Sequence, residues 1–153
     1  MAKPEHRTLR FESFDEAMQE AETLAAGTHH ATGNFSLGQI LEHLARTLEI
    51  ASGNRDAPPS TWIMRTFSRI IRPMVLRKAA TGFKLPGPAQ TVLWPSEEVS
   101  VKDGIARLRE AAEKFRAFDG STPHVFFGKM SVAQHHQLQC RHFEGHLGFV
   151  HPE

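Results

Sequence analysis

Four serines, Ser13, Ser36, Ser100 and Ser131, each stand immediately before a run of helical periodicity. This repeated arrangement sharply limits the folds open to the chain. A serine hydroxyl at an N-cap accepts from an amide of the first turn, which a helix start otherwise leaves unpaired. Ser13 is followed by Glu16 and Ser36 by Gln39, the spacing of a capping box. The first run extends to about Ala26, where Gly27 stops it, and turns Phe14, Met18, Ala21, Leu24 and Ala25 inward. The second, Leu37 to about Ser52, puts Leu37, Ile40, Leu41, Leu44, Leu48 and Ala51 in one stripe before the break at Asp56-Ala57-Pro58-Pro59. The third, VKDGIARLREAAEKFRAF, turns Ile105, Leu108, Ala112 and Phe115 inward and ends at Gly120. The fourth follows Ser131.

No alternating pattern of strand length competes with these helices. Residues 1–12 are polar, with RTLRF as a short extended stretch, and GTHHATGNF and STPHVFFGKM read as loops. The expected fold is all-α, an up-and-down four-helix bundle in one domain over residues 1–153, with an extra basic helical and loop insertion at about 60–99. Within that insertion, residues 60–80 have helical period, but Pro73 should kink or break the helix. The Pro- and Gly-rich stretch that follows, to about residue 99, is long enough to be a cover over the bundle rather than a connector.

The final helix carries the most unusual pattern. At about 100° per residue, His135, Gln139, His142 and His146 occupy an arc about 60° wide. Val132, Phe143, Leu147 and Val150 flank the arc on one side, and Leu138 and Phe149 on the other. Gln134, Gln137, Arg141 and Glu144 take the opposite, polar face. The imidazoles therefore point toward the core, where each needs partners for both nitrogens at a cost of about 1–3 kcal/mol if they are missing. A metal ion satisfies several of them together. Two ligands can come from His142 and His146, and another helix must supply the rest. His43 is the only histidine in the interior of another helix and sits at the edge of its apolar stripe, where one bundle helix meets the next. His43, His142 and His146 form the simplest three-point site, open at one or two positions as catalytic sites are.

The pattern GNFSLGQILEHLA, followed much later by HVFFGKMS and RHFEGHL, resembles the DinB/YfiT-like superfamily of metalloenzymes, in particular its uncharacterised branch. The resemblance runs from RTLRF to the C-terminus. It implies a four-helix bundle, often dimeric, with a divalent ion, zinc or nickel, held by His43, His142 and His146. It also implies a small-molecule substrate, and chemistry of the kind its thiol-dependent members perform: transfer or isomerisation with a low-molecular-weight thiol. Phe35 stands where many relatives have Trp, Val125 replaces the usual Pro after His124, and His135 stands where an aromatic residue is common.

His135 is expected to pack against the bundle or orient a ligand, Gln139 to hydrogen-bond a ligand or water, and His124 to line the mouth of the site. His136, His29, His30 and His151 read as loop or surface residues. Cys140, on the far side of the apolar arc, reads as a buried hydrophobe, and a single cysteine excludes an internal disulfide framework. Net charge +1 gives no global pull toward nucleic acid. The cations of the insertion spread around its helix, so neither nucleic-acid nor membrane binding is expected, and a lid or dimer contact fits better. With no signal-type or spanning apolar run, the expected location is cytoplasmic. GxSxG, Walker-type, GxGxxG and HExxH motifs are all missing. Two functions remain open: a metal-dependent thiol transferase or hydrolase, and a non-catalytic dimeric helical-bundle binding or stress-associated protein with a structural or vestigial metal site. A fourth ligand such as His135 closing the shell would favour the second.

Overall fold

The computed structural model describes residues 2–81 and 85–153. These residues form six helices and one small sheet: α1 (Phe14–Ala26), β1 (His29–Ala31), α2 (Leu37–Ala51), α3 (Trp62–Arg77), α4 (Gly87–Leu93), α5 (Val101–Ala117), α6 (Val132–Leu147) and β2 (Val150–Pro152). All four expected serine caps form. Ser36 and Ser131 make complete capping boxes with Gln39 and Gln134. At Ser13 the box is half made, because the Glu16 carboxylate accepts from the amide of Glu12 instead.

The long helices pair in a closed cycle: α2 against α5, α5 against α1, α1 against α6, and α6 against α2. Between them lies one apolar core in which Leu41, Leu44, Leu48, Leu108, Phe115 and Phe143 are wholly buried. The closest approach is at α2 and α5. A methyl group built on Gly38 would overlap the Val99 carbonyl, and one on Gly104 would lie 2.8 Å from the Gly38 carbonyl oxygen. Only glycine lets these backbones meet.

Four features differ from the sequence expectation. Pro73 does not break its helix: α3 runs through it. Pro73 is exposed, so the hydrogen bond it cannot make is lost beside solvent rather than inside the core. The segment after α3 is not all loop, since it contains α4; its residues 82–84 lie outside the described residues. His29, His30 and His151, expected in loops or at the surface, lie in β1 and β2, which pair antiparallel with His30, exposed, opposite His151. Strands of three residues are too short to show a period of two.

The fourth difference is on α6. Arg141 and Glu144 are not solvated but are 4% and 2% exposed. The N-terminal segment lies across them and forms no strand. The Phe11 amide donates to Glu144 (3.1 Å), Arg141 donates to the Phe11 carbonyl (2.6 Å), and the Arg7 amide donates to the Gly148 carbonyl (2.8 Å). The two side chains also form an ion pair at 2.9 Å. No described helix is long and apolar enough to cross a membrane.

Candidate metal centre

α2 and α6 run side by side, and that packing brings His43 against His142 and His146. One helical turn separates the last two, so their rings stand on one face of α6. The three Nε2 atoms form a nearly equilateral triangle: 3.2 Å from His43 to His142, 3.1 Å from His43 to His146, and 3.0 Å from His142 to His146.

The protons on these rings are set by what lies behind them. His43 Nδ1 is 2.9 Å from the carbonyl of Leu93, the last residue of α4, and a carbonyl can only accept. His43 therefore carries its proton on Nδ1 and an unshared pair on Nε2. The Thr47 hydroxyl donates to the Leu44 carbonyl at 2.8 Å and so presents a lone pair to His142 Nδ1, 3.4 Å away. His142 too keeps its Nε2 pair free. The 3.2 Å contact between these two Nε2 atoms is thus acceptor against acceptor, and no hydrogen bond can relieve it. A cation at the centre would satisfy all three atoms.

The triangle has the right size. With metal–nitrogen bonds of about 2.05 Å, facial octahedral ligands stand about 2.9 Å apart and tetrahedral ones about 3.35 Å apart. The observed edges lie between these limits. Burial also holds the imidazoles in the neutral form that ligates: it pushes His142 down to about 4, and His43 and His146 well below the ordinary histidine value, with the neighbouring imidazoles adding to the shift at the last two. His43 is buried, and His142 and His146 are half-buried. The described residues can therefore hold a metal ion between three histidines.

The chain matches, over residues 3–153, the family described as Protein of unknown function (DUF1569). It belongs to that family. No curated protein and no solved structure matches it significantly.

In this DUF1569 protein the other sequence candidates lie outside the triad. His135 does not join the triad. It is wholly buried, and neither ring nitrogen has a protein partner. Its ring meets Phe118 edge-on at 5.1 Å and lies 6.2 Å from the His124 ring. Gln139, 3% exposed, has no protein partner for Oε1. His124 Nδ1 accepts from the amides of Phe126 and Phe127 at 3.1 and 3.3 Å, which places its proton on Nε2. Burial, with His135 and His142 nearby, pushes His124 down to about 4. His136 is half-buried against Phe14 and Phe115 rather than at the surface. Cys140 is the buried hydrophobe expected, its thiol pushed up to about 12 first by burial and then by Glu144.

Sequence reasoning missed the aromatic wall. Trp94 stacks flat on His43, with centroids 3.8 Å apart and planes 2° from parallel, and Phe35 stacks on Trp94 at 3.8 Å. Trp94 also meets His146 edge-on at 5.2 Å. The available signal was a tryptophan, followed by proline, at the end of a long segment marked as a cover. Thr47 and the Leu93 carbonyl gave no such signal. His6 was missed as well: its Nε2 lies 3.0 Å from the Gly145 carbonyl, close enough to contribute to the shift at His146.

Proposed function

We propose that this chain is a metalloprotein that holds one divalent ion, zinc or nickel, between His43, His142 and His146, and that it uses the open side of that site on a small molecule. The observation that carries the proposal is the pair of proton-bearing nitrogens turned outward, to Leu93 and Thr47, which leaves unshared pairs converging at 3.0–3.2 Å. Three neutral imidazoles suit zinc, nickel or copper better than calcium or magnesium. On this reading α1, α2, α5 and α6 are the up-and-down bundle of the DinB/YfiT-like type, and α3 and α4 are the insertion.

An ion of this kind, when bound, supplies Lewis acidity that favours the deprotonated form of a thiol or of water. The motif resemblance favours a low-molecular-weight thiol as the partner, with transfer or hydrolysis as the reaction class. The chain's own groups fit supporting roles. Trp94 keeps water from one face of His43. His124, with its proton on Nε2, is a donor, and Gln139 and His135 have buried polar atoms without protein partners that can orient a ligand. Cys140 does not suit the role of nucleophile, because it is buried and its thiol is pushed up to about 12.

A second reading, a non-catalytic site, draws on the carboxylates of α2. Glu42 is held by Arg46 and Arg107, and Glu49 by Arg55 and Arg107, so neither is free to act as a base. The test is a screen of the metal-loaded protein with small thiols and electrophilic acceptors, wild type beside His146→Ala. Turnover that needs the ion and disappears in the variant supports the enzyme. An occupied site with no turnover of any thiol or ester supports the non-catalytic reading.

A further inference from the structure

Helix α3 is docked the wrong way out for a soluble bundle. Its inward side is held by a small apolar cluster, Val75 and Leu76 against Phe127, Met130 and Leu138, together with polar contacts. Arg72 donates to the carbonyls of Phe127 and Lys129 at 3.2 and 2.9 Å, Gln137 of α6 donates to the Leu76 carbonyl at 2.7 Å, and Arg10 donates to the Arg77 carbonyl at 2.8 Å. Leu76 is the one buried residue of the helix. The outward side carries Trp62, Ile63, Phe67, Ile70 and Met74, each between 56% and 71% exposed. Among the described residues the only other large apolar side chain so exposed is Val132, at 41%. By helical angle, Ile63, Phe67, Ile70 and Met74 share an arc about 60° wide, with Arg77 and Lys78 bordering it on either side. A contiguous face of this kind on a monomer marks a surface that meets something.

Charge says what it meets. Between Asp56 and Glu97 the chain has six basic residues and no acidic one, so the remainder of this +1 chain carries a net charge of −5. The apolar face thus sits on the one strongly basic region of an otherwise acidic protein. A second copy meeting this face would bring basic region against basic region. An anionic surface with an apolar interior complements both properties. Tryptophan at one end and Arg77 and Lys78 at the other suit the headgroup layer, where amphipathic side chains settle.

We propose that α3 is an interfacial helix that docks this protein on an anionic phospholipid surface, laying Ile63, Phe67, Ile70 and Met74 into the acyl boundary. It lies in the plane of the surface and does not span it. Of the cations spread around the helix, Arg72 is used inward to fix it, Arg65 donates to the Ser60 carbonyl, and Arg77 and Lys78 flank the apolar face. The proposal is independent of the metal site.

The test is vesicle flotation of the full chain with phosphatidylcholine alone and with phosphatidylcholine mixed with phosphatidylglycerol. Wild type is expected to float with the mixed vesicles, to be released by salt, and to bind the neutral ones weakly. Ile70→Glu and the pair Arg77→Glu, Lys78→Glu, all exposed positions that leave the core alone, should each weaken binding roughly tenfold or more. Equal binding to both vesicle types overturns the proposal. So does failure to float, and sedimentation then identifies the occupant: a dimer that Ile70→Glu dissolves means that a second copy covers this face.

Discussion

The Nδ1–H of His43 donates to the carbonyl of Leu93 at 2.9 Å, and this bond joins α4 to the candidate metal centre. Leu93 closes α4, and the next residue, Trp94, covers the face of the same imidazole. One short helix therefore sets both the tautomer of a ligand and its access to water. Partners of this outer kind hold ligand orientation in metal sites generally. Trp94→Ala should keep the ion but weaken its binding about 10- to 100-fold, read by competition with a chelator of known affinity. Thr47→Val, which removes a longer contact of 3.4 Å, should cost less. Unchanged affinity in Trp94→Ala would separate the insertion from the site.

Acid should loosen the metal-free protein before its carboxylates titrate. His124 and His142 are each pushed down to about 4, mainly by burial. The unfolded chain, with histidines near their ordinary value, takes up protons between about pH 6.5 and 4 that the native state refuses. Stability from these groups is complete above that window and is lost as pH falls through it. Glu144 acts in the opposite sense: burial raises its carboxyl, so its contribution declines as pH rises above the ordinary carboxylate range. With more than one histidine against one carboxyl, urea midpoints of chelated protein should fall steadily from about pH 7 to about pH 4. A flat profile would contradict the burial of the imidazoles.

The serine caps and the 3.6-residue stripes made α1, α2, α5 and α6 legible from the sequence, because each of those helices states its own start and its own inward face. The triad was legible for the same reason: His142 and His146 lie on an apolar face, and only one other helix offers a histidine. Trp94 was not legible, because its place depends on how a long segment folds back. Nor was the burial of Arg141 and Glu144. Periodicity describes a helix alone, and the strap that covers them has no period of its own. The exposed apolar side of α3 inverts the usual rule, so its pattern gave the helix but not the side it turns to the protein.

The Arg141–Glu144 pair should behave as a buried ion pair. Arg141→Met removes one partner and leaves Glu144, 2% exposed, without its cation, at a cost of about 3–5 kcal/mol. Adding Glu144→Leu should recover part of that loss, since the stranded charge goes too. Denaturant melts of the two variants decide it, and a double variant less stable than the single one would contradict this view of the pair.

Gly38→Ala should destabilise the fold although alanine is the better helix former. The added methyl meets the Val99 carbonyl, which is backbone and cannot rotate away. Overpacking of this kind costs about 1–3 kcal/mol or more, against a propensity gain of about 1 kcal/mol. The expected outcome is a net loss of stability; a gain would mean that α2 and α5 do not approach as closely as they do here.

The most direct test of the metal centre is ion content by plasma mass spectrometry on protein purified without chelator, wild type beside His43→Ala and His142→Ala. About one zinc or nickel ion per chain is expected in wild type, and its loss in both variants. Full occupancy in either variant, or no ion in wild type even after titration, would contradict it.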